Sequence, residues 1–327
     1  MPRSFFISFL TLSIFTPAFA QSHSAPVAEN LYANEFVAVL VTPTGDLYGS
    51  LVVPVGDSVR SAVLLISGSG PTDRDGNQMF LRNNSIRMIA KELAQRNIAT
   101  LRYDKRGVAA SRAALAKECD VCMEHYVDDV KLWIEYIKRD GRFKNVFIAG
   151  HSEGAQIAMA AINEGAKVDG LISIAGAGRS IDQILKEQLD DQPKTIRNRA
   201  YVIIDSLKNG HDVVDVPVYL KSLFRQSVQP YIKSMMKYNP QKLIAKINKP
   251  ILILQGDRDI QITLDDANLL HAANPKSTVE ILAGMNHVLK NCVTMMRDEQ
   301  LATYANPALP INDQITQRIY EFIKKAE

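Results

Sequence analysis

Short segments made almost entirely of apolar residues recur along the 327-residue chain, and they alternate with segments that have helix-like spacing. A strand that is apolar at every position is buried on both faces, which is typical of a parallel sheet covered by helices on both sides. With 46% apolar residues, the chain has enough apolar material for such a core. The predicted strands are Ala62 to Ile66, Ile98 to Tyr103, Val146 to Ala149, Leu171 to Ala175, Ile251 to Leu254 and Thr278 to Leu282.

Two further strands are predicted ahead of these, at Phe36 to Val41 and Leu47 to Val53. The turn-forming residues 43–46 separate them, so we expect an antiparallel hairpin at one edge of the sheet. The sequence thus predicts one α/β domain, residues 21–327, with an eight-stranded, mostly parallel sheet and helices on both faces. Helices are predicted at Ile86 to Gln95, Val127 to Ile137, Ala267 to Ala273 and Ile311 to Lys324.

The alternation stops between Gly178 and Pro250, where no buried strand is apparent and the apolar residues follow helical spacing. Because both flanks look like consecutive strands of one sheet, this interval predicts an inserted helical cap over about residues 179–248. Its helical segments are expected at Ile181 to Leu189, Ile196 to Leu207, Val218 to Tyr231 and Pro240 to Ile247.

A serine between two glycines follows the strand that begins at Asn145 and precedes a helix-like segment of small residues. The pattern Gly150-x-Ser152-x-Gly154 is weak evidence alone, since chance supplies it in about one chain in ten of this size, but a strand before it and a helix after it are typical of a sharp turn that exposes a nucleophilic serine. Such a turn strains the serine backbone, and the glycines remove side chains that would collide there. Ser152 is therefore the candidate nucleophile.

Polar residues follow two later strands, at the sheet edge where the catalytic groups of α/β proteins gather. His287 comes shortly after Leu282, and both Asp257 and Asp259 come directly after Leu254. A histidine that serves as a base needs one carboxylate to fix its tautomer, so we expect Asp259 in that role, with Asp257 as the alternative. The neighbour of the serine, His151, is expected to pack rather than to act as the base. Asp265 and Asp266, which follow Thr263 at a helix start, are expected to be structural.

The loop after Ile66 contains Gly68, Ser69 and Gly70, and its positions without side chains let backbone N–H groups approach a substrate. The N–H of Ser69 and that of Glu153, at the start of the helix after the serine, are candidate donors to a developing oxyanion. No Gly-Lys-Ser sequence follows, which argues against a phosphate-binding loop.

Three segments, Gly68 to Pro71, Arg102 to Gly107 and Gly150 to Gly154, occur together with the chain order serine, aspartate, histidine. In these features the chain resembles the α/β-hydrolase superfamily and, within it, bacterial exported carboxylesterases related to the serine aminopeptidase-like group. The resemblance covers nearly all of residues 21–327. It departs from the family pattern where the usual His-Gly of the first loop is Ser67-Gly68, a change that keeps the backbone donor.

The resemblance implies an α/β-hydrolase fold and a serine esterase, with Ser152 as nucleophile, His287 as general base and then acid, and Asp259 as the orienting carboxylate. The N–H groups of Ser69 and Glu153 would form the oxyanion hole. The implied substrate is a small-molecule carboxylic ester, and neither a metal nor an organic cofactor is expected. A peptidase or amidase of the same fold and a non-catalytic binding protein are the alternatives.

Two groups of residues outside the proposed triad have expected supporting roles. The charged stretch from Arg102 to Arg106 is expected to support the site through hydrogen bonds. Met235, Met236 and Tyr238 of the cap are expected mainly to pack between the cap and the sheet domain, although such residues are also able to line an acyl pocket. The sequence does not indicate the acyl chain preference or the oligomeric state.

Residues 1–20 combine Arg3, an apolar stretch from Phe5 to Phe15, and Ala18-Phe19-Ala20 before polar residues, which is typical of a secretory signal peptide. A periplasmic or secreted protein is expected, and no stable membrane anchor, because the apolar stretch is too short to span a bilayer and no cysteine follows it for lipid attachment. The net charge of +3, without a dense basic stripe, does not indicate a nucleic-acid partner.

Export permits disulfides, and the chain has three cysteines, Cys119, Cys122 and Cys292. The spacing of Cys119 and Cys122 resembles a redox motif, but the pair does not open a helix after a strand. A structural disulfide is therefore expected, either between these two residues or between one of them and Cys292.

A reporter fused after residue 40 tests the predicted signal peptide, since a functional signal carries the reporter out of the cytosol. We expect the reporter in the periplasm or the medium, shortened by about 20 residues, when its size and location are measured by fractionation and immunoblotting. Retention of the uncleaved reporter in the cytosol would contradict the prediction.

Overall fold

An eight-stranded sheet forms the centre of the molecule, with the strand order β1-β2-β4-β3-β5-β6-β7-β8. The computed structural model describes residues 33–56 and 59–327, so the predicted signal peptide lies outside the described residues. The first two strands run antiparallel to their neighbours, and every other pair is parallel. The strands are β1 Ala33–Leu40, β2 Leu47–Pro54, β3 Ser61–Ile66, β4 Ala99–Tyr103, β5 Asn145–His151, β6 Gly170–Ile174, β7 Ile251–Gly256 and β8 Thr278–Leu282.

Helices cover both faces of this sheet. Short 3-10 turns also occur at residues 109–114, 118–120, 218–220 and 226–228. The α helices are α1 Ser85–Gln95, α2 Met123–Arg139, α3 Glu153–Asn163, α4 Ile181–Leu189, α5 Lys194–Lys208, α6 Lys221–Phe224, α7 Gln229–Met235, α8 Pro240–Ile244, α9 Leu264–Ala273, α10 Arg297–Tyr304 and α11 Gln314–Ala326. Among the helices of the described ranges, none is long and apolar enough to cross a membrane.

The central strands contribute to two separate hydrophobic layers, which is why their sequences are apolar at every position. Ala62, Leu64 and Ile66 of β3 pack against the layer that contains α2, α3 and the helices after β6. Val63 and Leu65 of the same strand face the other layer, which contains α1 and α11. Successive side chains of a strand point to opposite faces, so a strand between two helical layers is buried throughout.

The interval between β6 and β7 consists of the helices α4 to α8 and two 3-10 turns. It packs on the sheet domain where α7 contacts α2 and where α8 contacts α3 and α9. The single helix predicted over Val218 to Tyr231 is wrong, because the chain is extended at Arg225, with φ −51° and ψ 148°. The Gln229 side chain holds this break closed by donating to the Phe224 carbonyl at 2.8 Å.

The predicted disulfide is not formed, since Cys119, Cys122 and Cys292 are all free thiols. The sulfur of Cys122 lies 3.3 Å from Nδ1 of His125 in the first turn of α2, while Cys119 is exposed. Cys292 is buried and its thiol donates to the carbonyl of Thr294. Each sulfur therefore has its own local environment, and the structure contains no bridge between them.

Candidate active site

Ser152 occupies the turn between β5 and α3 with a strained backbone, at φ 54° and ψ −119°. The turn keeps this strained conformation because backbone contacts hold it on both sides of Ser152. The Ser152 N–H donates to the Ile174 carbonyl at 2.9 Å, and a Cβ on Gly150 would lie only 2.1 Å from the Gly154 carbonyl oxygen. A Cβ on Gly154 would lie 2.5 Å from the Ile66 carbonyl oxygen. The turn therefore requires glycine at both positions.

His287 is buried, and its Nδ1 lies 2.8 Å from Oδ2 of Asp259, which is also buried. The other oxygen of Asp259 accepts from the backbone N–H groups of Gln261 and Ile262 at 2.8 and 2.9 Å. These two hydrogen bonds hold the carboxylate in position independently of its contact with the imidazole. A carboxylate on Nδ1 leaves Nε2 of a neutral histidine as the proton acceptor. The structure thus brings Asp259 and His287 together.

The alternative carboxylate, Asp257, lies elsewhere in the same region and accepts from the Gly284 N–H at 2.7 Å. It supports the loop that carries His287 but does not contact the imidazole in any bond of the described chain. At the start of α9, Thr263 and Asp266 form the capping box. Asp266 also binds the guanidinium of Arg179, so the expectation of a structural role for Asp266 is confirmed.

His151 packs beside the other histidine, with the two ring centroids 5.0 Å apart. Its Nε2 lies 2.8 Å from the His287 carbonyl oxygen, which only accepts, so Nε2 carries the proton. Burial and the neighbouring His287 lower the pKa of His151 to about 3, so its imidazole is neutral. His151 packs as expected, and in addition it fixes the backbone of His287.

The loop after β3 folds against the turn at Ser152 and is fixed by its own polar side chains. The carbonyl of Ser69 accepts from Oγ1 of Thr72 at 2.6 Å and from Nε2 of Gln78 at 3.3 Å. Within residues 33–56 and 59–327, neither the N–H of Ser69 nor that of Glu153 has a hydrogen-bond acceptor. These are the two groups expected to bind an oxyanion, and both remain available to a ligand.

The charged stretch after β4 connects this loop to the elements around it. Lys105 is buried and donates to the Gly68 carbonyl at 2.6 Å. Asp104 accepts from the guanidinium and the backbone N–H of Arg74. Arg102 binds Asp75 in the same loop at 2.7 Å. Arg102, Asp104 and Lys105 therefore each fix the loop through a charged contact, as the sequence predicted for this stretch, whereas Arg106 binds Asp129 instead.

Two cavities meet at Ser152. The larger one encloses about 560 Å³ including its mouth, and both His287 and the loop residue Ser69 line it. The smaller one, about 300 Å³, extends under the insertion. One part of its wall is apolar and consists of Ile181, Ile184, Met235 and Ile262, while Gln156 and Arg179 also line it.

Several of the cavity residues were not indicated by the sequence. Tyr304 lines the larger cavity from α10, a helix that the sequence did not predict because its segment is mostly polar. Gln261, which also lines this cavity, donates to the hydroxyl of Tyr304 at 2.8 Å. Met235 both packs in the core and lines the smaller cavity, two roles that the sequence allowed while favouring packing. For Ile181 and Ile184, the helical spacing predicted a buried face but did not indicate a cavity.

Comparison with known proteins shows which family the chain matches. Residues 83–291 match the sequence model of the hydrolase family described as serine aminopeptidase, S33. The matched region contains Ser152, Asp259 and His287. Esterase EstD from Thermotoga maritima is 26% identical over 258 residues, which are 74% of this chain and 58% of EstD. The chain thus spans 58% of the length of this relative.

Solved structures of esterases share the fold. Est1E from Butyrivibrio proteoclasticus superposes with a TM-score of 0.58 and 16% identity over 89% of this chain and 98% of Est1E. The Pyrococcus furiosus esterase Pf2001 gives a TM-score of 0.60 and 15% identity over 94% and 96% of the two chains. At these identities the likeness concerns the fold, and it confirms the predicted α/β-hydrolase fold with its mostly parallel eight-stranded sheet.

Gly150→Ala should lower the free energy of unfolding by about 3 kcal/mol and abolish activity, because the added methyl group collides with backbone that has no room to move. Chemical denaturation and hydrolysis of p-nitrophenyl acetate measure the two effects. Gly141→Ala is the matched control, since it has open space around its Cβ and φ +74°. It should cost only about 1 to 2 kcal/mol and retain activity. Equal behaviour of the two variants would contradict the steric argument.

Proposed function

Because the chain belongs to the serine aminopeptidase (S33) family of hydrolases, we propose that it is a serine esterase that cleaves carboxylic esters through an acyl-Ser152 intermediate. The observation that carries the proposal is the 2.8 Å contact between Asp259 and Nδ1 of His287, next to a strained serine that lines the same cavity. The order of the three residues along the chain is that of α/β-hydrolases.

In the proposed reaction His287 accepts the hydroxyl proton of Ser152 through Nε2 as the serine oxygen attacks the ester carbonyl. The imidazolium that forms is stabilised by Asp259, whose second oxygen is already occupied by two backbone N–H groups. His287 then returns the proton to the leaving alcohol and activates a water that releases the acid. The N–H groups of Ser69 and Glu153 stabilise the negative oxygen of each tetrahedral intermediate.

The two cavities supply the two halves of the ester. The leaving alcohol receives its proton from His287, so it lies in the larger cavity, which His287 lines. The acyl group then extends into the smaller cavity, against Ile184 and Met235. The larger cavity has polar groups such as Thr72 and Gln78 in its wall. We therefore infer an ester with a short apolar acyl group and a larger, partly polar alcohol.

The charges around the cavities favour an ester over an N-terminal peptide substrate. An aminopeptidase needs a carboxylate to bind the substrate ammonium group. Among the described residues that line the two cavities, the one carboxylate is that of Glu153, and it is paired with Lys105 at 3.2 Å. Hydrolysis of an internal amide bond by the same residues is the second candidate, since the family description names a peptidase.

The proposed setting is the periplasm or the medium, because the N-terminal segment resembles a signal peptide. The proposed partner is the small-molecule ester itself. Neither a metal nor a cofactor takes part in the proposed chemistry, which uses only the hydroxyl, imidazole, carboxylate and amide groups of the chain.

Ser152→Ala removes the nucleophile and should reduce hydrolysis of p-nitrophenyl acetate and butyrate by about 10⁴-fold or more, with an unchanged circular dichroism spectrum. A fluorophosphonate probe should label the wild-type serine and not the variant, because only an activated serine reacts. N-acetylated aminoacyl amides, which lack a free ammonium group, assayed alongside test the second candidate. Full activity in Ser152→Ala would refute the assignment, and a folded wild-type protein that no probe labels would indicate a non-catalytic binding protein.

Ile184→Ala enlarges the smaller cavity and should raise kcat/KM for hexanoate relative to acetate esters by about 10-fold or more, since added methylene groups gain a place to bind. Leu185→Ala is the matched control, because Leu185 is equally buried on the same helix but does not line the cavity. The control should lose stability and keep the chain-length preference. A change in preference for the alcohol, with none for the acyl group, would show that the two cavities are assigned in reverse.

A further inference from the structure

A buried lysine lies between the two segments that carry the proposed oxyanion donors. Lys105, two residues beyond β4, has a side chain that is 1% exposed. Its ammonium group donates to the Gly68 carbonyl at 2.6 Å and to Oε1 of Glu153 at 3.2 Å. The ring of Tyr126 covers it, with its centroid 5.3 Å from the nitrogen. One cation therefore contacts both the loop after β3 and the first residue of α3.

The contact with Gly68 acts on the donor group of Ser69. The Gly68 carbonyl and the Ser69 N–H belong to one planar trans peptide unit, so they point in opposite directions. Fixing the carbonyl on the buried ammonium therefore directs the N–H away from the protein interior, and Ser69 lines the cavity beside Ser152. A hydrogen bond from a cation to the carbonyl also polarises the peptide unit and makes its N–H a stronger donor.

The contact with Glu153 acts on the second donor. The carboxylate of Glu153 is 1% exposed, so its position is set by the ammonium group and by the packing around it. The backbone N–H of this same residue is the other proposed donor. Since Lys105 binds both residues, it also fixes the distance between their two segments.

Stability alone does not account for a lysine at this position. A buried ion pair is seldom more stabilising than apolar side chains of the same volume, because both charges lose their hydration. The neighbouring cation Arg106 is also buried, but it binds Asp129 and the Ala114 carbonyl, and none of these residues lines either cavity at Ser152. Of these two adjacent cations, only Lys105 contacts the segments that carry the donors.

We propose that Lys105 is a positioning residue that orients and polarises the Ser69 and Glu153 amide groups toward the oxyanion of the reaction. The proposal rests on the proposed serine esterase function. This role differs from a purely structural one because the loss of Lys105 raises the free energy of the transition state. Substrate binding in the ground state does not depend on it.

The test uses Lys105→Met combined with Glu153→Gln, because Lys105→Met alone leaves a buried charge without a partner. The double variant should show kcat about 10- to 100-fold lower than wild type, somewhat less than the loss of an entire oxyanion donor, with KM changed by less than about threefold. A trifluoromethyl ketone forms an oxyanion on the serine, so its affinity should fall by the same factor as kcat/KM. The acid limb of the pH profile should stay in place.

Arg106→Met combined with Asp129→Asn is the matched control, since it removes the adjacent buried ion pair. It should lower Tm to a similar extent and keep kcat and ketone affinity within about threefold of wild type. Lys105→Gln, also combined with Glu153→Gln, is a second variant that keeps a neutral donor for the Gly68 carbonyl. Its kcat should lie between those of wild type and the Lys105→Met double variant, which provides a measurement if the Lys105→Met double variant does not fold.

Wild-type kcat and ketone affinity in folded Lys105 variants would overturn the proposal, as would an equal loss in the Arg106 control. Fluorophosphonate labelling of the wild type separates this failure from failure of the proposed function. A labelled wild type with unaffected Lys105 variants refutes the positioning role alone. An unlabelled wild type refutes the serine mechanism and the positioning role together.

Discussion

The close approach of α3 to the end of β3 is the constraint on which the site depends. With no side chain at Gly154, the helix lies against the Ile66 carbonyl, and with none at Gly150 the strand is able to reverse directly into the helix. This contact brings the loop after β3 beside Ser152, where a Cβ on Gly68 would already lie 3.4 Å from the Ser152 side chain. The proposed nucleophile and both proposed amide donors are thus assembled by the packing of two backbones.

Charged side chains are buried at the positions where this packing leaves backbone groups without hydrogen-bond partners. The loop after β3 has few regular hydrogen bonds, and Lys105, Asp104 and Arg102 beneath it supply charged contacts to residues of that loop. Their burial is costly unless each charge is paired, and each of the three has an ionic partner in the described chain. The loop is therefore held by charged contacts although it is not part of a helix or strand, and a donor array held in advance needs little reorganisation during reaction.

The sequence predicted the parts of this structure that depend on local pattern. The apolar runs of β3 and β7 and the glycines at positions 150 and 154 are features of short segments, and they located the sheet and the turn correctly. The single helix expected over 218–231 was wrong, because Pro230 is unfavourable in a helix interior and instead lies in the first turn of α7, and the side chain of Gln229 stabilises the break before it. The lining of the larger cavity by Thr72 and Tyr304 was not predictable, since it depends on distant segments that meet only in the fold.

Asp257 and Asp259, the two carboxylates that the sequence offered as partners of His287, have different roles in the structure. In the register of β7 and β8, Gly256 lies opposite Leu282, and a Cβ on Gly256 would lie 2.0 Å from the Met285 carbonyl oxygen. The loop that carries His287 therefore crosses directly over the end of β7. Asp257 accepts from the start of that loop at the Gly284 N–H, and Asp259 accepts from the imidazole. The two carboxylates, which are two residues apart, thus both position His287. Asp257 fixes the loop that carries this residue, and Asp259 fixes its imidazole ring.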